Sequence, residues 1–144
     1  MKKRRTLVIV LVITLLIGII PVQAVELDYD DPEPVIDEYI YLYQMTSTLS
    51  INSNGLATCG GSAATSNINS NYSITISVCL YRQTTSGSWT SVKTWYASNI
   101  NSIALTRSYY VTSGYYKVVT TAKVYNTSGI QIESAKLTSN IAHY

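Results

Sequence analysis

The tightest constraint on this chain is the alternation that runs from Gly114 to Asn126. Tyr116, Val118, Ala122 and Val124 fall on one parity, and Tyr115, Lys117, Thr121, Lys123 and Tyr125 on the other. Successive side chains of a strand point to opposite faces, so the first set is expected against a core and the second on an outer surface. The stretch reads as a long strand through the middle of a sheet.

Six further stretches carry the same signature. Tyr39–Ile51 alternates and ends at Asn52-Ser53-Asn54-Gly55, a turn signal because Asn-Gly accepts positive φ. Leu56–Ala64 is expected as the second strand, followed by an Asn/Ser loop over 66–71. In Tyr72–Gln83, Ile74, Ile76, Val78 and Leu80 face one way, and Ser73, Thr75, Ser77, Cys79 and Tyr81 the other. Thr84-Thr85-Ser86-Gly87 turns into Trp89–Ala97, which places Trp89, Lys93 and Trp95 on one face and Val92 on the other. After a loop over 98–102 come Ile103–Val111, the Gly114–Asn126 strand, and Ile130–Thr138 beyond Thr127-Ser128-Gly129. Residues 139–144 read as a loose end.

Seven short strands at hairpin spacing, with no helical period after residue 38, predict an all-β fold: an immunoglobulin-like antiparallel β-sandwich over 39–144. Tyr116 lies just inside the sixth strand, two residues before the core position Val118, where such folds place a corner tyrosine.

The residues before this body differ in composition. Lys2, Lys3, Arg4 and Arg5 precede an apolar run from Leu7 to Ile20, then Pro21 and Val22-Gln23-Ala24. Residues 1–24 are read as a signal peptide cleaved after Ala24, because the apolar run is shorter than the roughly 20 residues a spanning helix needs. Residues 25–38 hold seven acids and no base, with Pro32 and Pro34, and are read as a flexible acidic arm. From Tyr39 onward there are six bases and one acid, Glu133. Such asymmetry points to a partner or to an internal contact.

Charged residues make up only 12% of the chain, and Tyr, Ser, Thr and Asn carry its polarity. No metal-ligand spacing, phosphate loop or cofactor motif is present, and no nucleic-acid module signature. The single His lies at 143 and the single body acid at 133, which excludes a carboxylate pair or a catalytic triad. No enzyme activity and no cofactor are expected.

Cys59 and Cys79 are the only cysteines, and export favours their pairing as a disulfide. A loop of this length closed by a bridge contributes about 3 kcal/mol in the chain-entropy picture. Parity sets a condition. Cys79 lies opposite the Ile74–Leu80 face, so Cys59 matches it if Leu56 and Thr58 point inward. It conflicts if Ala57 and Ala63 do, unless Gly60-Gly61 bulges.

The candidate binding surface comprises Tyr81, Trp89, Lys93, Trp95, Tyr115, Lys117, Thr121, Lys123 and Tyr125, expected on the outer side of one sheet. Aromatic rings stack on sugars, hydroxyls exchange hydrogen bonds with them, and lysines attract anionic polymers. The competing reading turns Trp89 and Trp95 into the core and makes the tyrosines ordinary strand residues.

Asn54-Gly55-x-Ala57-x-Cys59, Ile74-x-Ile76-x-x-x-Leu80, Gly87-Ser88-Trp89-x-x-Val92-x-x-Trp95, Gly114-Tyr115-Tyr116-Lys117-Val118 and Glu133-Ser134 follow one another in this order. The series resembles small secreted domains of unknown function in Gram-positive bacteria, in which Arg often stands at the position of Lys117. The resemblance implies a signal peptide and a β-sandwich, and supplies no functional residues. The expected role is a secreted, non-catalytic binding or adhesion module at the cell envelope, recognising a cell-wall glycan or another anionic wall polymer. The alternatives are a self-associating structural or protein-interaction subunit, with acidic arm against basic body, and a small secreted toxin or antimicrobial.

Overall fold

The computed structural model describes residues 39–66 and 70–144. The expected signal peptide and acidic arm lie outside the described residues. Within them the chain forms eight strands and no α-helix: β1 (Leu42–Ile51), β2 (Leu56–Thr65), β3 (Ser73–Gln83), β4 (Trp89–Ile100), β5 (Ser102–Tyr110), β6 (Tyr115–Tyr125), β7 (Gln131–Thr138) and the short β8 (Ala142–His143). All pairings are antiparallel. One sheet has the order β1-β2-β5. The other has the order β4-β3-β6-β7, with β8 on the stretch of β6 that β7 leaves free.

Alternation builds the core. Ile74, Ile76, Val78 and Leu80 of β3, and Tyr116, Val118, Ala122 and Val124 of β6, pack against Ala57, Cys59 and Ala63 of β2, Leu42 and Leu49 of β1 and Leu105 of β5. Burial of these apolar surfaces is the main stabilising term, at roughly 25 cal/mol per Å² removed from water. Thr120 interrupts the apolar set of β6. It is fully buried, and its hydroxyl donates to Ser47 Oγ at 3.1 Å, while Ser47 Oγ donates to the Val118 carbonyl at 3.2 Å across the sheets. Gly61 faces this pair. A Cβ there would lie 2.5 Å from Thr120 Oγ1 and 2.8 Å from Val78 Cγ2, so the sheets approach this closely only because residue 61 has no side chain.

The turns follow their residues. Gly55 takes φ +75° and donates to the Asn52 carbonyl at 3.0 Å, while the Asn52 side chain accepts from the Asn54 and Leu56 amides. Tyr116 buries its ring and donates its hydroxyl to the Thr112 carbonyl at 2.8 Å.

Four local expectations are corrected. The first strand begins at Leu42, because the Glu133 carboxylate, rather than a neighbouring strand, accepts from the Ile40, Tyr41 and Leu42 amides at 2.8, 3.1 and 2.6 Å. The expected loop over 98–102 shrinks to Asn101 alone, which crosses from one sheet to the other at φ +62°. Its carbonyl accepts from the Thr65 amide and its amide donates to the Tyr72 carbonyl, both at 2.8 Å. The expected loose end is also ordered. β8 pairs with β6, and Tyr144 and Gly114 exchange backbone hydrogen bonds of 2.9 and 3.1 Å.

The fourth correction concerns the disulfide, which does not form: Cys59 and Cys79 are both free. Ala57 and Ala63 point into the core, and Cys59 with them at 0% exposure. Gly60 and Gly61 keep regular register with both neighbouring strands, so no bulge resets the count. Cys79 lies on the outer parity of the other sheet, beside Ser91 and Thr94. One thiol faces inward and the other outward, and a bridge needs their Cβ vectors to converge.

Candidate functional site

The outer face of the five-stranded sheet is a grid that antiparallel register defines, since residues directly opposite share a face. Its rows run across the strands. Trp89 stands opposite Gln83, and Ser91, Tyr81 and Lys117 make the next row. Thr94, Cys79, Val119 and Thr138 follow, then Tyr96, Ser77, Thr121 and Lys136. Ser98, Thr75, Lys123 and Ser134 come next, with Ile100, Ser73 and Tyr125 at the far end.

The first end is an aromatic and cationic cluster. The Lys117 ammonium sits 4.4 Å from the centroid of the Trp89 ring, a cation–π distance. Tyr115 stacks at a tilt on His143, with centroids 4.4 Å apart, where β8 brings the chain end onto β6. The Tyr81 hydroxyl is held above its usual pKa range, first by its hydrogen bond to Cys79, then by its electrostatic interaction with Cys79, then by burial. Two hydroxyl side chains meet the Cys79 sulfur: Thr94 donating at 3.1 Å, and Ser91 at 3.2 Å.

The second end is a hollow of about 170 Å³ lined by Thr75, Ser77, Tyr96, Thr121, Lys123 and Tyr125. Tyr96 is 73% exposed. A larger hollow of about 450 Å³ lies elsewhere, between Gln44, Ser62, Asn99 and Ala104. Its walls carry neither a charge nor an aromatic ring, so it offers nothing to stack on a ligand or to pair with a charge.

Seven of the nine expected surface residues share this outer face: Tyr81, Trp89, Tyr115, Lys117, Thr121, Lys123 and Tyr125. Trp95 and Lys93 do not. Register slips by one residue between Leu80 and Tyr81, so Lys93 pairs with Leu80 while Ser91 pairs with Tyr81. This bulge breaks the parity that joined Trp89 to Trp95. Trp95 stands opposite core-facing Val78, packs against the core and meets Tyr109 of β5 edge-on at 6.4 Å. Lys93 is exposed at the edge of the sheet, on the parity of Leu80.

Sequence reasoning missed Tyr96, His143 and Lys136 as members of the face. Tyr96 has the parity opposite to Trp95, a signal that was available once Trp95 was assigned to the core. Nothing local marks His143, because a two-residue strand has no periodicity.

Among the described residues, the charges on this face are positive. Lys117, Lys123 and Lys136 lie on it, and Glu133, the acid expected in the body, is on the inner parity opposite Val124, where backbone amides engage both carboxylate oxygens. Cys79 and His143 lie rows apart, and His143 stacks on Tyr115. Among the described residues no group of three or more His, Cys, Asp or Glu is placed to hold a metal ion. The chain matches no family model and no curated protein sequence.

Proposed function

We propose that this chain is an exported, non-catalytic binding or adhesion module that recognises an anionic glycan or wall polymer at the cell envelope. It contacts the polymer through the outer face of its five-stranded sheet. The observation that carries this reading is the pairing of open aromatics and lysines on one sheet face with the removal of Glu133 to the other side. Flat sheet faces bearing aromatic rings, hydroxyls and ammonium groups suit extended acidic chains, and electrostatic attraction makes their capture salt-dependent.

The immunoglobulin-like assignment belongs to the same reading. It is supported by the strand orders β1-β2-β5 and β4-β3-β6-β7 and by the Tyr116 hydroxyl on the Thr112 carbonyl, a hydrogen bond of the corner-tyrosine kind. Export is supported by the basic, then apolar, then small-residue order of residues 1–24 and by the resemblance to secreted Gram-positive domains.

The test is retention on isolated cell walls. Binding should fall as salt rises, and Lys117→Glu with Lys123→Glu should reduce it at least tenfold at low ionic strength. Retention that ignores both salt and the double substitution refutes the reading.

A second reading, self-association, is favoured by Ile40, Tyr43, Leu137 and Ile141, which are exposed on and around edge strands β1 and β7. Light scattering at rising protein concentration tests it; a constant monomer mass removes it.

A further inference from the structure

The proposed envelope-polymer reading leaves the ligand's chemistry open, and the two ends of the face differ in a way that narrows it. At the first end each conspicuous ring already has a partner. Trp89 carries the Lys117 ammonium over one face, and Tyr115 stacks on His143. Trp89 thus has a cation over one face, and His143 covers part of the Tyr115 ring. At the second end Tyr96 is largely exposed, and Tyr125 stands at another corner of the same hollow. Between them lie the hydroxyls of Thr75, Ser77 and Thr121, with the Lys123 ammonium alongside.

Resting on that reading, we propose that the Tyr96–Tyr125 hollow is a subsite for one pyranose ring bearing a carboxylate, a hexuronate unit of a linear acidic glycan. Each wall matches one part of such a unit. An aromatic face packs on the apolar C–H face of a sugar ring, which an open-chain phosphodiester lacks. Three neighbouring hydroxyls donate to and accept from ring hydroxyls. A single lysine lining the hollow answers a single negative charge. A compartment of about 170 Å³ suits one ring rather than a branched cluster.

The Lys117–Trp89 pair takes a later charge on the same chain. Lys117 and Lys123 are six residues apart on β6, which at the rise of a strand is about 20 Å, a span of several sugar units. The glycan therefore runs along β6, with its ring contact at the Lys123 end and a charge contact at the Lys117 end.

The experiment measures binding by titration calorimetry with the full chain, expressed with its N-terminal segment so that the host processes it. Three probes are compared: tetragalacturonate, a neutral tetraglucan of equal length, and poly(glycerol phosphate). Tetragalacturonate should bind best. Tyr96→Ala should weaken it about tenfold while changing poly(glycerol phosphate) less than twofold, and Lys123→Gln should weaken it severalfold, leaving the charge contact at Lys117. Tyr96 is exposed and on the outer face, and the thermal midpoint of Tyr96→Ala checks that the fold is kept. If poly(glycerol phosphate) binds best, or Tyr96→Ala is silent while Lys117→Glu abolishes binding, the sugar subsite is overturned and the anionic face stands. If no probe binds and wall retention is also absent, both are overturned.

Discussion

The Lys117 ammonium of β6 rests 4.4 Å from the centroid of the Trp89 ring of β4, across the intervening strand β3. The contact links two strands that share no backbone hydrogen bond, and it holds a long, flexible lysine in one orientation. A double-mutant cycle on urea unfolding with Lys117→Met and Trp89→Leu should give a coupling of about 0.5–1 kcal/mol. Strict additivity would mean the pair contributes nothing to the fold.

Cys59 and Cys79 are separate thiols, one in the core between the sheets and one on the outer parity of the five-stranded sheet. Alkylation in denaturant without reductant should therefore add two adducts per chain, where a bridged protein would take none, and reductant should leave the melting temperature unchanged. Burial raises the Cys59 thiol from 9.0 to about 11. The folded state thus holds this proton more tightly than the unfolded chain does. The resulting stability is fully present below about pH 9 and is lost as pH rises towards 11. Urea midpoints measured across that window should fall, and Cys59→Ala should flatten the fall.

Glu133 receives three backbone amides that would otherwise begin β1 without acceptors. Glu133→Ala should cost about 2 kcal/mol, the range for losing hydrogen bonds to a charged acceptor. Hydrogen exchange should quicken at Ile40, Tyr41 and Leu42 first, with the centre of β6 least affected. An even loss of protection throughout the domain would refute this local role.

Gly61 leaves to Thr120 and Val78 the space that a Cβ would occupy. Gly61→Ala should destabilise by about 1–3 kcal/mol through overpacking. Combining it with Thr120→Ala removes two of the three atoms the new methyl meets and leaves Val78 Cγ2, so the double variant should lose less than the sum of the two. A fully additive pair in thermal or urea unfolding would place the strain elsewhere.

The alternation in β3 and β6 was legible because it is a local property. Each side chain's face follows from its neighbours along the chain, and Ile74 to Leu80 and Tyr116 to Val124 keep count without interruption. Asn54-Gly55 marked its turn for the same reason, since its conformation is set by the residues themselves. The seven faithful members of the outer face could be named from such counting.

The register shift opposite Leu80 could not be, because a bulge exists only between two paired strands. It parted Trp89 from Trp95 and set Lys93 aside. Nor could parity alone decide between the two settings of Cys59. The answer depended on which face of β2 met β3 and β6.

The sequence on its own determined that this is an all-β chain, where most strands lie, and which side of β6 looks outward, since period two is written residue by residue. Only the tertiary structure decided that the cysteines stand apart, that Glu133 turns to the start of β1, and that Tyr96 joins Lys123 and Tyr125 around one hollow. Each of those outcomes depends on register and sheet packing between segments far apart in the chain, and local pattern carries no information about them.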